Sequence, residues 1–348
     1  MNNQGKWTLT SPRRKPGSSD VNATGFRLTT AGMTAFLILF LLPCASFAIS
    51  DSAGTSAGAF LKIPTDARGL ALGPAIVSMA EGTEAMRWNP AALGRLDTHE
   101  LSGTHIAYYQ DVSVENVAFA HPLDRGAVAA NIFYLAPDKL EGRDALGNHT
   151  GDFTFYDLAA SIGYGRQLRS REEGGADLYI GGALKIVQEK IADTQYQNAA
   201  VDAGLLLLPN ENLRVGVSAQ NLSTGKADFP KLLTAGASYT FIRALTGGFA
   251  IGYADDAPLR MAAGAEYKFP ELQGAAVRAG YQSRDEVDDS LDSGITAFRK
   301  GSLAGLSLGA GFAYRPPQFK TLHLLFDYGM APFGALGISH TMTVKLRW

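Results

Sequence analysis

Apolar and polar residues alternate along most of the chain after residue 99, with the two-residue period that puts successive side chains on opposite faces of a β-strand. In the last segment one face carries Leu336, Ile338, Met342, Val344, Leu346 and Trp348. The other face carries Gly337, Ser339, Thr341, Thr343, Lys345 and Arg347. The pattern predicts fourteen strands, at residues 99–109, 112–121, 126–135, 153–167, 176–189, 195–208, 213–221, 231–242, 247–253, 259–269, 275–283, 302–314, 320–329 and 335–348.

The connections between these strands differ in length on the two sides of the sheet. Residues 136–152 and 284–301 are long and fall on one side, whereas 209–212 and 270–274, on the other side, are short. Outer-membrane barrels have this asymmetry, with an even number of strands, short periplasmic turns and longer outer loops. A soluble β-sandwich or soluble barrel would also alternate, but with its apolar face inward. Aromatic strand ends and the terminal Trp348 favour lipid, so the sequence predicts an all-β, 14-stranded antiparallel transmembrane β-barrel.

The first 48 residues have the order of a secretory signal peptide. A head with five basic residues and one acidic residue leads into the apolar run AFLILFLL at 35–42, and then into SFA at 46–48. The apolar run is shorter than the ~20 residues that a membrane-spanning helix needs. We therefore expect residues 1–48 to be removed by cleavage after Ala48, and the chain to reach the bacterial outer membrane. A lipoprotein anchored at Cys44 is the alternative.

The net charge and the cysteine content further restrict the class of protein that this sequence can encode. The formal net charge is −2, which gives no reason to expect a nucleic-acid partner. Beyond residue 48 the chain keeps 26 basic and 32 acidic residues and no cysteine. The exported protein must therefore be held together without disulfides.

Residues 49–98 lie between the predicted leader and the predicted barrel, which would span 99–348. Their centre, ARGLALGPAIVSMAEGTEAMRWNPAAL at 67–93, is rich in Ala, Gly and Met and too short to build its own core. We predict a short N-terminal helical hatch that packs in the barrel lumen. Near its end, an Asn can cap a helix start and a following Pro suits the first helical position. The predicted hatch and ligand-gate residues are Arg68, Trp88, Asn89, Pro90 and Ala91.

Several charged residues fall on the strand face predicted to line the lumen. They are Lys185, Arg214, Arg260, Glu266, Arg278, Asp327, Lys345 and Arg347. Because both signs are present, we expect these charges to pair across a plugged interior. A charge-selective channel is the alternative.

Three stretches of the chain carry a family resemblance: AGAFLKIPTDARGLALGPA at 57–75, EAMRWNPAAL at 84–93 and LLFDYGMAPFGALGISHTMTVKLRW at 324–348. They resemble the PorV/PorQ family of outer-membrane proteins, which is similar in architecture to the FadL family of long-chain fatty-acid transporters. The resemblance runs from about residue 53 to the end, with Pro74 where we expect Gly. It implies a fourteen-stranded barrel with an N-terminal hatch. It also implies two possible functions. FadL-like proteins pass hydrophobic molecules past the hatch and through a kink in the wall. PorV belongs to the type IX secretion machinery and receives cargo proteins by the C-terminal signal domain of the cargo.

The sequence offers weak signals of catalysis or metal binding. Residues 54–58, GTSAG, fit the Gly-x-Ser-x-Gly nucleophile elbow, but no predicted strand precedes Ser56. The six histidines have no metal-ligand spacing, and the acidic run 285–292 does not follow the order of an EF-hand loop. We therefore expect no catalytic residues, no metal and no cofactor.

The expected function is that of a FadL-like outer-membrane barrel that passes or binds a hydrophobic or amphipathic small molecule. A PorV-like component of type IX secretion that docks cargo proteins is the alternative. Expected partners are outer-membrane lipid and lipopolysaccharide, a hydrophobic ligand or secretion-system proteins. The barrel-assembly machinery would engage the C-terminal strand that ends in Trp348.

Overall fold

The computed structural model describes residues 56–108, 112–137, 141–152, 154–223, 229–272, 274–283, 305–319, 321–332 and 337–348. The predicted signal peptide, the first part of the predicted hatch segment (49–55) and the acidic run 285–292 lie outside the described residues.

The described chain forms sixteen strands. They are β1 (Glu100–Ala107), β2 (Val112–Leu123), β3 (Gly126–Pro137), β4 (Glu141–Arg143), β5 (His149–Asp152), β6 (Phe155–Arg169), β7 (Asp177–Ile191), β8 (Thr194–Leu208), β9 (Leu213–Leu222), β10 (Leu232–Ile242), β11 (Leu245–Ala254), β12 (Ala257–Lys268), β13 (Ala276–Gln282), β14 (Leu306–Tyr314), β15 (His323–Pro332) and β16 (Ile338–Arg347). All except β4 and β5 pair with their neighbours in one closed antiparallel barrel of fourteen strands, and β1 pairs with β16 to close it. The predicted fold class is confirmed, and each predicted barrel strand has its counterpart.

The short strands β4 and β5 form a separate hairpin in a connection that the pattern predicted only as a long loop. Its turn is closed by Asp144, whose side chain accepts the N–H groups of Leu146 and Asn148. Period-two patterning over so few residues gives too little signal to predict such a hairpin.

Apolar side chains of the barrel strands point outward. Ile132 and Leu184 leave 56% and 62% of their surface exposed, whereas Glu100, Ser102 and Thr104 of β1 are buried on the lumen side. A soluble barrel would have the reverse arrangement, because its apolar face must leave water. The outward apolar face of a closed barrel belongs in lipid, and the protein is an outer-membrane β-barrel, as predicted.

We call the barrel end that carries the longer connections, such as 138–154 and 283–305, the outer end. The opposite, periplasmic end carries the turns 124–125 and 243–244 among others. Near it Trp348 stacks on His99, with ring centroids 5.4 Å apart, and the two residues exchange both backbone hydrogen bonds.

The hatch consists of short helices inside the barrel. Two are α-helical, α1 (Ala67–Leu72) and α2 (Ala85–Trp88), and 3₁₀ turns occupy Ala59–Lys62, Gly73–Ser78, Gly82–Glu84 and Pro90–Arg95. A further 3₁₀ turn, Arg171–Glu173, lies between β6 and β7. Leu72, Ile76, Met79 and Leu93 are fully or almost fully buried, so the main apolar core lies between hatch and wall. Of the helices described, none is long and apolar enough to cross a membrane.

The hatch runs from the outer half of the lumen towards the periplasmic end. Lys62 forms an ion pair of 2.6 Å with Asp256, which lies in the outer turn between β11 and β12. Further along the chain, Gly94 contacts the backbone of Arg166 in the periplasmic half of β6. The hatch chain therefore spans much of the lumen before it enters the wall at β1.

Candidate functional site: the hatch and the cavity beside it

A belt of glycines lines the wall where the hatch touches it. Ten consecutive barrel strands, β6 to β15, each contribute at least one inward-facing glycine, and the belt consists of Gly165, Gly181, Gly204, Gly216, Gly236, Gly248, Gly264, Gly280, Gly309 and Gly329. A Cβ on any of them would meet hatch atoms; on Gly181 it would overlap the carbonyl of Pro90, and on Gly264 that of Leu72. This glycine belt lets the hatch backbone lie directly against the barrel backbone.

Asn89 joins three parts of the hatch–wall contact. It is fully buried, and its Oδ1 accepts the N–H of Ala91 at 3.1 Å, which caps the turn that Pro90 begins. Its Nδ2 donates to the carbonyls of Val77 in the hatch and Leu205 in β8, each at 3.1 Å. The Asn-Pro-Ala turn therefore fixes the end of the hatch to the wall as well as ending a helix.

Trp88 and Arg87 connect the second half of the hatch to the first. The Trp88 Nε1 donates to Asp66 at 3.0 Å, and Asp66 also caps α1 by accepting the N–H of Gly69. Burial, together with the nearby charge of Glu84, raises the pKa of Asp66 to about 6.

The Arg87 guanidinium lies 4.8 Å from the centre of the Trp88 ring, within the range of a cation–π contact. It donates to the carbonyls of Lys62 and Ile63 at 3.1 and 3.2 Å, and to Gln220 of β9 at 2.9 Å. Burial lowers the pKa of Arg87 to about 10, a value at which the side chain stays charged at neutral pH.

A buried ion network ties the hatch to four strands. Its members are Arg68 and Glu84 of the hatch, Glu266 of β12, Arg278 of β13, Asp327 of β15 and Lys345 of β16. Arg68 reaches Glu84 at 2.7 Å and Glu266 at 2.8 Å, and Lys345 pairs with Glu84. Burial alone would raise the pKa of Glu84, but the charges of Lys345 and Arg68 outweigh it and lower that pKa to about 2. The three cations balance three carboxylates, as burial of charge requires.

The other predicted lumen charges lie in separate places. Lys185 pairs with Asp202 at 3.0 Å and donates to Asn221 at 2.7 Å, next to a register irregularity between β8 and β9. Arg214 contacts Glu81 of the hatch at 3.3 Å. Arg347 pairs with Glu100 at the closing strands.

A cavity of about 500 Å³ lies between the hatch and the outer halves of β9 to β15. Its apolar lining includes Ile63, Leu70, Pro74, Trp88, Tyr108, Leu232, Tyr253 and Ala331. Lys62, Arg87 and Arg260 add positive charge, and none of the described residues that line it is acidic. The cavity thus combines apolar walls with a cationic side.

Trp88 is the predicted gate residue that lines this cavity, and Arg260 is the predicted lumen charge that lines it. Arg68, Asn89, Pro90 and Ala91 instead hold the hatch against the wall. The sequence did not predict the roles of Asp66, Glu84 and Arg87, because the direction of a side chain cannot be predicted in a segment without regular periodicity. Glu100 was missed too, although its alternation with Leu101 would have placed it on the lumen face.

No group of three or more His, Cys, Asp or Glu residues suited to hold a metal ion occurs in the described part of the chain.

Comparison with known proteins gives structural matches alone. No protein-family model and no curated protein matches the chain. Among solved structures, the toluene transporter TbuX of Ralstonia pickettii has a TM-score of 0.51 at 14% identity, over 80% of this chain and 97% of that one. The toluene transporter TodX of Pseudomonas putida has a TM-score of 0.51 at 10% identity, over 82% of this chain and 96% of that one. A FadL homologue of Pseudomonas aeruginosa has a TM-score of 0.48 at 12% identity, over 87% of this chain and 99% of that one.

The chain shares the barrel fold of TbuX and TodX. At such low identity the likeness extends to the fold alone, and the PorV/PorQ resemblance stays a prediction.

Proposed function

We propose that the protein binds a hydrophobic or amphipathic small molecule in the cavity beside the hatch and passes it across the outer membrane, without catalysis. The cavity itself is the observation that carries this proposal, since ligand sites are concave and mostly apolar with a few placed polar groups. The proteins of similar fold named above are described as transporters.

The charges at the cavity favour an anionic head group on the ligand. Lys62 is already paired with Asp256, whereas Arg87 uses its N–H groups on two carbonyls and an amide oxygen, none of which carries a negative charge. A carboxylate near Arg87 would therefore meet a positive charge that makes no direct ion pair among the described residues, although the charges of Asp202 and Asp66 act on it from farther away. Charge-assisted hydrogen bonds of this kind are roughly twice as strong as neutral ones.

Passage then requires the hatch to move. Asn89, the glycine belt and the buried ion network all hold it against the wall. We propose Arg68, Trp88, Asn89, Pro90 and Ala91 as the gate: Trp88 borders the ligand, and the other four keep the hatch in place.

The test measures binding and uptake of two probes, radiolabelled palmitate and toluene, by purified barrels in detergent and in proteoliposomes. Thr234 lines the cavity and its neighbour Leu233 points outward with 50% of its surface exposed, so Thr234→Trp fills the cavity and Leu233→Trp is the matched control. We expect Thr234→Trp to reduce binding at least tenfold and Leu233→Trp to leave it unchanged. Equal uptake of both probes by wild type, Thr234→Trp and protein-free vesicles would refute the proposal.

Arg260 also lines the cavity and adds positive charge to it, whereas Arg87 bonds to the hatch backbone. Arg260→Gln therefore distinguishes an anionic ligand from an uncharged one. If the ligand is an anionic amphiphile, this change weakens palmitate binding and leaves toluene binding unchanged. An equal effect on both probes would count against an anionic head group.

The second candidate function is docking of secreted proteins, as the PorV resemblance implies. The hairpin β4–β5 favours it, because this outer connection presents Leu146 with 87% of its surface exposed. Replacement of residues 141–152 by a Gly-Ser linker should abolish capture of cargo that carries a C-terminal signal domain if docking is the function. Palmitate uptake by the same variant should then equal that of wild type.

A further inference from the structure

Two carboxylates face the lumen side by side near the outer ends of β6 and β7. Asp157 and Glu189 are register partners on these strands, and directly opposite residues have Cβ atoms about 4.5–5.5 Å apart. Asp157 is only 6% exposed. Two like charges at this separation repel each other unless something of opposite sign lies between them.

Asp157 differs from every other buried carboxylate among the described residues. Asp66, Glu84, Glu100, Asp202, Asp256, Glu266 and Asp327 each accept a hydrogen bond or pair with a base. In the parts of the chain described, Asp157 has no such partner, and Glu189 accepts only the N–H of Gly58, at 2.8 Å. An ionised carboxylate without compensation is costly to bury.

The described neighbours of Asp157 on β3 and in the nearby core are apolar. Leu135 lies opposite Asp157 on β3 and belongs, with Val187, to an apolar cluster under the outer end. Phe60 and Phe133 stack in the same cluster with their centroids 5.7 Å apart. Apolar walls lower the local dielectric constant, which strengthens the electrostatic field of the two carboxylates.

We propose that Asp157 and Glu189 form a binding site for a small cation in the outer half of the lumen. Ca²⁺ suits it, because Ca²⁺ takes carboxylate oxygens together with carbonyls and waters, and two carboxylates neutralise its charge. The ammonium group of an organic molecule has the same recognition chemistry. The site is separate from the cavity, since neither residue lines it.

The cation would fasten the start of the hatch. Glu189 already holds Gly58, which directly precedes the first hatch turn, Ala59–Lys62. A bound cation holds the Glu189 carboxylate in place, and so it strengthens this bond at the outer end of the lumen.

The test is calorimetric titration of the purified, detergent-solubilised full barrel with CaCl₂ and, separately, with methylammonium chloride. All proteins carry neutralised side chains at Asp285, Glu286, Asp288, Asp289 and Asp292, so that this acidic run does not contribute. Asp157→Asn and Glu189→Gln are compared with Asp193→Asn, which removes an exposed carboxylate in the turn of the same β7–β8 hairpin. Heat-modifiable migration in electrophoresis confirms that each variant is a folded barrel.

We expect one saturable cation site, weakened at least tenfold by Asp157→Asn and by Glu189→Gln and unchanged by Asp193→Asn. Saturation by Ca²⁺ alone identifies a metal site, and saturation by methylammonium alone identifies a site for an organic cation. Absence of saturable binding of either probe, or binding by Asp157→Asn equal to that of the parent, would overturn the proposal.

Discussion

At the scale of single residues, the hatch depends on side chains that satisfy several partners at once. Asn89 bonds to its own turn, to Val77 and to Leu205, and Asp66 bonds to both Gly69 and Trp88. Each such residue joins segments that are distant in sequence, so one substitution affects several contacts. Asp66 is the more informative of the two, because its charge changes with pH.

We predict that docking of the hatch becomes stronger as the pH falls from about 7 to about 5. The pKa of Asp66 rises from 3.8 to about 6 in the folded protein, so ionisation above that value weakens the fold and protonation below it removes the penalty. Glu84, with its pKa of about 2, stays ionised over this range. Hydrogen exchange of hatch amides, corrected for the intrinsic pH dependence, should slow at the lower pH.

Asp66→Asn keeps a cap acceptor for Gly69 but cannot ionise. In this variant the corrected exchange of the hatch should no longer change over the same pH interval. If the variant shows the same change as wild type, another group is responsible.

At the scale of elements, the glycine belt explains how short helices fill a wide barrel. Ten strands give up their side chains at one inward position, and the hatch fills the space that these side chains would otherwise occupy. Backbone-to-backbone contact of this kind leaves no room for an added methyl group.

Gly181→Ala should displace the hatch and leave the barrel wall intact. The new Cβ would overlap the Pro90 carbonyl, and overpacking of this kind costs about 1–3 kcal/mol. We expect faster hydrogen exchange in residues 85–95 and greater leak of a hydrophobic dye from proteoliposomes.

Gly103→Ala is the control, since a Cβ on Gly103 meets no atom within 4 Å. Equal leak through the two variants would show that the belt does not hold the hatch.

The sequence predicts the wall better than the hatch for a physical reason. Strands repeat every two residues, so the face occupied by Glu266, Arg278 or Lys345 follows from register alone. The hatch has no such period: its direction changes at Gly73 and Gly82, which adopt positive φ, and at Asn89. Glu84 and Arg87 contact wall residues that are far away in the sequence, as Glu84 contacts Lys345. Local patterns in the sequence do not predict such partners. The Asn-Pro-Ala turn was predictable because its capping chemistry is local.

At the scale of the whole molecule, the buried ion network makes hatch and barrel one unit. It joins residue 68 to residue 345 through side chains that are almost fully removed from water. The network does not have to add net stability, because a buried ion pair can stabilise a fold no more than well-packed apolar residues of similar volume. Removal of one member alone is costly, however, since its partner is then left charged and buried.

We predict that Glu84→Gln and Lys345→Met each loosen the hatch by about 3–5 kcal/mol, and that the double variant loses less than the sum. Dye leak and hatch hydrogen exchange measure the effect. Glu141→Gln is the control, because it breaks an exposed pair with Arg143 in the outer hairpin. Additive effects of the two substitutions would show that Glu84 and Lys345 act independently.

The position of the hatch in the chain sets the order in which the molecule is assembled. Residues 67–93 precede all the described strands in the chain, yet Ala67 donates its N–H to Thr343 and Glu84 pairs with Lys345, both in β16. Their final contacts cannot exist until β16 has been synthesised and placed beside β1. Until then the segment has to be kept from premature aggregation, so inhibition of periplasmic chaperones should harm this protein more than a barrel of equal strand number without a hatch.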